Sequence, residues 1–388
     1  MLQRFHTDDL FAIAHYLGML IIFLSVTMLV PLIVACLFGE WAVATHYIVG
    51  IGVAFFIGSL LRLCKANPKR LTRMQAIAIT GLAWVVGALF SAIPLYLSGH
   101  YASFLDSVFE CVSGFTTTGL SLTLDIDHMS MADSMWRCGI QFLGGQGILV
   151  IALSLGLFTK TGTSFYNSEG REEAILPNMR KTTQFIMRFA FMIVIAGTLV
   201  LGVVAMSVGM DPIRSFFHGL WITIGSYDTG GFAVQSLSVS YYHSWPFEIV
   251  TMVIMCLGTV NFGLFAYVQK TGWREFLRDI EIRSLAIWIL AMVVVFVAAM
   301  MAGNFLTDYL GLIRRGIFTI ISATTNTGYQ VLSSNQMATL MTSGAFFLIA
   351  LSMAVGGSSG STAGGIKALR VGLIAKGIVA RVKQVLLP

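Results

Sequence analysis

Charge is scarce in this chain. Asp, Glu, Lys and Arg make up only 11% of its 388 residues, where a soluble domain carries about a quarter. With 56% hydrophobic residues and a mean hydropathy of +0.83, the apolar residues fall in long blocks, which excludes a large soluble core and indicates a polytopic helical membrane protein. Cysteine is sparse and forms no C-x-x-C pair: Cys36, Cys64, Cys111, Cys138 and Cys256 are scattered in mostly apolar surroundings. They read as small buried hydrophobes rather than a metal or redox centre. The first apolar block, 13–37, lacks an A-x-A-like exit and is too long for a secretory signal, so it reads as a retained membrane helix.

The few charges are placed unevenly. Lys and Arg gather around 62–73, 160–188, 270–283 and 367–383, and with Arg4 these account for 20 of the 24 basic residues. Placing these segments and the N-terminus in the cytoplasm satisfies the positive-inside rule. The net charge of +6 therefore marks topology and gives no case for nucleic acid. Glu40, Asp106, Glu110, Asp125, Asp127, Asp133, Asp211, Asp228, Glu248 and Asp308 fall on the opposite side. There they either raise local cation concentration or simply mark loops.

Long apolar spans are predicted at 13–37, 45–63, 75–98, 134–158, 183–208, 246–268, 284–303 and 341–380. Between alternate pairs lie semi-apolar segments at 104–115, 213–225 and 310–322, too short to cross a bilayer that needs about 20 helical residues. Each leads into a polar loop: SGFTTTGLS (113–121), GSYDTGGFA (225–233) and SATTNTGYQ (322–330). Aligned on Gly119, Gly231 and Gly328, the preceding triplets are Thr116-Thr117-Thr118, Asp228-Thr229-Gly230 and Thr325-Asn326-Thr327. A bulky residue follows each glycine (Leu120, Phe232, Tyr329), placed to wedge the loop against neighbouring helices. Asp106, Asp211 and Asp308 stand near the short-helix starts, where they are expected to cap. The unit of long helix, short helix, polar loop and long helix thus recurs three times, after two helices before residue 70.

Non-helical backbone at membrane depth is tolerated only where protein or a water-filled path satisfies it. A re-entrant helix followed by a Thr/Gly loop presents carbonyls at the negative end of its dipole, and such carbonyls can replace the hydration shell of a cation. Three loops in register point to a cation-selective pore. Asp228 departs from the pattern, either attracting cations or serving as a local cap.

The three loops, with GGQGILVIALSL (144–155) and GGSSGSTAGGIK (356–367), resemble the TrkH/KtrB family of microbial potassium uptake proteins. The resemblance implies an all-α polytopic fold of potassium-channel-like repeats, each a helix, re-entrant pore helix, filter loop and helix around a pore. It implies two N-terminal helices (1–70) and repeats at 71–170, 171–275 and 276–388. It also implies a bacterial inner-membrane homodimer surrounded by lipid, no enzymatic activity, potassium as transported ion with no other cofactor, and a cytoplasmic nucleotide-binding ring (TrkA/KtrA-like) as partner. The filter role falls on Thr116, Thr117, Thr118, Gly119, Asp228, Thr229, Gly230, Gly231, Thr325, Asn326, Thr327 and Gly328. A fourth repeat, which the family carries, is absent from this sequence. The alternative is therefore a truncated or non-conducting structural or regulatory subunit that needs a fourth repeat from another chain.

Within 341–380 stands GGSSGSTAGG. Its five glycines, each costing about 1 kcal/mol against alanine inside a helix, should break that helix. Gly356, Gly357, Ser358, Ser359, Gly360, Ser361, Thr362, Gly364 and Gly365 are expected to form an intramembrane loop that obstructs the pore and moves to open it. Repeats one and two are expected to lack such an insert. The match to G-x-S-x-G lacks a strand-to-helix turn and a histidine near this face, and Gly365-Ile366-Lys367-Ala368 is out of register for a phosphate loop. Lys367 and Arg370 are expected at the inner exit. GGQGI reads as close packing between helices. Asn261 is either a pore-facing polar group or an interhelical hydrogen bond, and Arg137 binds a neighbouring helix or a pore loop.

Overall fold

The computed structural model describes residues 7–64, 72–147, 179–302 and 308–386. Residues 148–158 of the predicted fourth span, and with them most of GGQGILVIALSL, lie outside the described residues, as do Arg4 and most of the basic segment from 160. The chain divides into two units, residues 1–192 and 193–388, and each is described by itself.

In the first unit, α1 (Thr7–Thr27) and α2 (Leu29–Phe38) run on as one apolar stretch, followed by α3 (Trp41–Arg62) and α4 (Arg73–Leu97). All three stretches are long and apolar enough to cross a membrane. Helices α1 and α3 touch almost backbone to backbone: a Cβ on Gly18 would lie 2.7 Å from the Gly58 carbonyl, and one on Gly58 would lie 3.0 Å from the Gly18 carbonyl. Small residues allow this because dispersion, rather than exclusion from water, drives helix association in lipid. Thr72 and Gln75 form a capping box at the start of α4, and Gln75 Nε2 donates to Asp9 on α1 at 2.6 Å. The short helix α5 (Phe104–Phe115) is capped by Ser103, which accepts from the Asp106 amide. Asp106 therefore does not cap, as the sequence suggested; it sits in the first turn and complements the dipole. Helix α6 (Met131–Gln146) is capped by Ser130, and Glu40 accepts from the amides of Met131 and Ala132 at 2.9 and 3.1 Å.

Helix α7 (Met179–Ser207) carries the chain from the first unit into the second. There follow the short α8 (Pro212–Tyr227), α9 (Trp245–Gly258), α10 (Phe262–Thr271), α11 (Trp273–Arg278), the spanning α12 (Ile280–Ala302), the short α13 (Tyr309–Thr324), α14 (Ser334–Leu340) and α15 (Ser343–Ala354). Asp211 and Asp308 do cap α8 and α13, each accepting main-chain amides. Met292, Phe296, Met300, Leu312 and Ile320 build a core between α12 and α13, which Ala345 of α15 joins. Outside it, Ile287, Leu290 and Val294 of α12 remain exposed; on a helix of this hydropathy they face lipid.

Two predicted spans are interrupted. The segment 246–268 is not one helix: α9 and α10 are bent by 93° at Thr259-Val260-Asn261. The predicted span 246–268 is thus bent at a three-residue break, without an insert like GGSSGSTAGG. Asn261 caps α10, its Oδ1 accepting from the Gly263 amide at 2.7 Å. In the second break, α15 ends at Ala354 and α16 (Ala368–Leu386) begins after a loop. That loop is closed at its neck by a parallel bridge of β1 (Val355–Gly356) and β2 (Ile366–Lys367). Of the cysteines, Cys111 and Cys138 are buried, whereas Cys36 is exposed.

Because α1 and α3 meet at Gly18 and Gly58, a large side chain there must push them apart. Gly58→Leu is expected to cost about 1–3 kcal/mol through overpacking and to lower the melting temperature in detergent. Gly52→Leu, with open space around its Cβ, should melt like the parent.

Candidate ion path: three helix-end loops and a tethered loop

The three loops share one backbone geometry. Helix α5 ends at Thr116 with φ −80°, α8 at Asp228 with φ −79° and α13 at Thr325 with φ −75°. The next residue is left-handed each time: Thr117 at φ 52°, Thr229 at 51° and Asn326 at 58°. Two residues further, Gly119, Gly231 and Gly328 are positive again at 81°, 66° and 85°. Non-glycine residues rarely take such values, so the recurrence at equivalent positions is a strong mark of a repeated element. Inverting φ at alternate residues undoes the alternation of a strand and turns successive peptide groups to the same side.

The amides face inward. Thr118 N donates to Ser113 O at 2.8 Å, Gly230 N to Gly225 O at 3.0 Å, and Thr327 N to Ser322 O at 3.0 Å. The amides of Thr117, Thr229 and Asn326 turn back likewise, to Gly114, Ser226 and Ala323. Each short helix therefore satisfies its orphan C-terminal carbonyls with the loop amides. In loops one and three the threonines also pair side to side, Thr116 with Thr118 at 2.8 Å and Thr325 with Thr327 at 2.9 Å. Loop two has Asp228 and Gly230 instead. Asp228 is fully buried at the C-cap position of α8.

The residue after each glycine behaves differently from loop to loop. Phe232 and Tyr329 are buried, and the Tyr329 hydroxyl donates to Phe232 O at 3.2 Å. Leu120 is 60% exposed, so it is not the wedge that the sequence suggested.

After α5 and α8, a glycine brings the next helix onto the end of the short one. A Cβ on Gly144 would fall 2.0 Å from the Phe115 carbonyl, and one on Gly258 would fall 2.2 Å from the Tyr227 carbonyl. This gives Gly144 in GGQGI the close-packing role expected of it. The sequence reading missed Gly258, which follows Gly231 by 27 residues where Gly144 follows Gly119 by 25, so no fixed spacing marked it. Loops two and three also meet directly: a Cβ on Gly231 would overlap the Thr327 carbonyl at 1.8 Å.

The loop 356–365 lies against loops two and three. Ser358 N donates to Thr259 O at 2.9 Å, and Ser359 N donates to the Glu281 carboxylate at 2.9 Å. The Thr362 hydroxyl sits 2.8 Å from Gly258 O and 3.0 Å from Tyr227 O, and Thr229 Oγ1 lies 3.4 Å from it. Asn326 Nδ2 donates to Met353 O at 3.1 Å. Ser358 is completely buried. Lys367 Nζ donates to Ala363 O at 2.5 Å within the loop, and Arg370 is exposed. The break at 259–261, unforeseen in the sequence, is the seat on which this loop rests.

Spanning helices interleaved with short helices that end in loops of one backbone geometry define a polytopic helical membrane protein. Residues 45–388 match the family described as TrkH, cation transport protein; the chain belongs to the TrkH family of cation transport proteins. It is 30% identical over 388 residues to an uncharacterized cation transporter of Methanocaldococcus jannaschii, covering 99% of this chain and 76% of that protein. It is 28% identical over 390 residues to the Trk system potassium uptake protein TrkH of Halomonas elongata, covering 97% and 77%. It is 27% identical over 373 residues to the Trk system potassium uptake protein TrkG of Escherichia coli, covering 94% and 74%. Its fold is similar to the crystal structure of the potassium transporter TrkH from Vibrio parahaemolyticus, with a TM-score of 0.79 at 22% identity over 97% of this chain and 76% of that one. The family is one of transporters, not enzymes.

Gly231→Ala places a methyl group on the Thr327 carbonyl and strains φ, whereas Gly328→Ala meets only the strain, about 1 kcal/mol. The first is expected to lower the melting temperature of the purified protein clearly more than the second; equal shifts would show that the two loops do not touch here.

Proposed function

We propose that this chain is a channel-like potassium-translocating subunit of a Trk/Ktr-type uptake system. The carrying observation is the dihedral pattern repeated at the ends of α5, α8 and α13, supported by relatives named as potassium uptake proteins. In this reading the carbonyls of 116–119, 228–231 and 325–328 take the place of water around a dehydrated potassium ion. The short helices add the partial negative charge of their C-terminal ends, roughly half an elementary charge each. The segments 71–170, 171–275 and 276–388 are the pore repeats, after two helices outside them. The protein sits in a prokaryotic plasma membrane with its N-terminus and basic segments in the cytoplasm. It works as a homodimer with a cytoplasmic nucleotide-binding ring, assignments that rest on the family resemblance.

The loop 356–365 is the gate. Its contacts with Thr259, Gly258, Tyr227 and Glu281 hold it against the base of loop two. A buried hydrogen bond is worth about 1 kcal/mol net. A handful of them is of the order of the ~5.5 kcal/mol that shifts a two-state equilibrium from 1:99 to 99:1. The loop is therefore held firmly enough to obstruct and weakly enough to be released by a partner.

Rubidium and potassium uptake in cells lacking other potassium uptake systems tests both parts. Gly119→Ser is expected to abolish uptake; unchanged uptake removes the filter reading. Thr362→Val keeps the shape and loses the hydroxyl, and should raise uptake about fivefold, the equivalent of ~1 kcal/mol. Deleting residues 358–361 should raise it further, and unchanged or reduced flux in a correctly inserted deletion variant would sink the gate.

A further inference from the structure

The described residues contain two ion pairs that join different helices, Arg137 with Glu110 and Arg314 with Glu248. The first is buried on both sides, at 1% exposure each. Taking two charges out of water is expensive and is seldom repaid in stability alone, so such a pair is better read for what it positions. Arg137 on α6 donates through Nε to Glu110 Oε1 at 2.8 Å, with Nη2 2.7 Å from the same oxygen, and Nη2 reaches Ser121 Oγ at 3.2 Å. Glu110 on α5 accepts from Ser121 Oγ at 3.0 Å and from the Leu122 amide at 2.9 Å. Both groups therefore act on the residues that leave loop one, two and three positions after Gly119.

The other loops hold the same segment without charge. The Tyr329 hydroxyl holds Phe232 O, Ser322 Oγ donates to Tyr329 O at 2.8 Å, and both bulky residues are buried. Loop one lacks that anchor, since Leu120 points outward. Nine residues before each glycine stand Glu110, Ile222 and Thr319, so the carboxylate is peculiar to the loop whose anchor is missing. We propose that Glu110 and Arg137 are positioning residues that set the path of loop one and hence the preference of the ion path for potassium over sodium. This rests on reading 116–119 as a filter wall.

The test uses the purified full chain. Potassium and sodium are titrated separately while the melting temperature is followed, and the ratio of the two half-saturating concentrations is the readout. The uncharged double variant Glu110→Gln/Arg137→Met is expected to fold and to lose roughly tenfold in that ratio, the size of one lost charge-assisted hydrogen bond. Arg137→Lys, which keeps charge and loses the planar fork, should lose part of it. A parental ratio in both overturns the proposal, because a purely structural pair changes melting without changing preference. If the double variant does not accumulate, Arg137→Lys and Ser121→Ala decide by the same criterion. Gly119→Ala separates the two readings. If it leaves the ratio unchanged, the filter reading fails and this inference with it; if it collapses the ratio while the pair variants do not, only the pair inference fails.

Discussion

Everything in this chain depends on the rule that backbone groups at membrane depth must find partners within the protein. Spanning helices obey it without help. The short helices α5, α8 and α13 do not, because each stops where no helix continues to cover its last carbonyls. The solution is the same three times: two or three amides of the following loop turn back onto the helix end. That one hydrogen-bonding choice fixes the φ reversal at Thr117, Thr229 and Asn326 and leaves the loop carbonyls for something else. The need for glycine follows as well, since Gly119, Gly231 and Gly328 carry the second reversal.

A second economy concerns distance. Gly144 and Gly258 let a neighbouring helix rest on the carbonyl that ends a short helix, so the loop base is supported by backbone rather than by side chains. Side chains then differ freely between repeats, as Asp228 and Gly230 do where the others have threonine. The three loops are alike in main chain and unlike in what braces them.

Much of this was legible in the sequence. Apolar block length separated spanning from short helices, and the three loops aligned on their glycines because the left-handed φ demands that residue. The five-glycine break at 356–365 was legible for the same reason. What was not legible involved partners distant in sequence or positions with two local solutions. Asp106 lies in a first turn that Ser103 already caps. Leu120 matches Phe232 and Tyr329 in bulk, yet it is exposed where they are buried. The break at 259–261 falls in a sequence of ordinary hydropathy, where only Asn261, a good cap, marked it.

The two-residue bridge between Val355–Gly356 and Ile366–Lys367 gives the loop between them a property that its composition conceals. Pinching the ends of a glycine-rich segment prepays its closure entropy, roughly 2 kcal/mol for a loop of this size. The segment can then leave its seat without first being reeled in from a random chain, and can return without being ordered anew. In the gating proposed for it, its displacement is that of a hinged flap with a fixed perimeter, and the free energy of the motion resides in the seat rather than in the chain that moves.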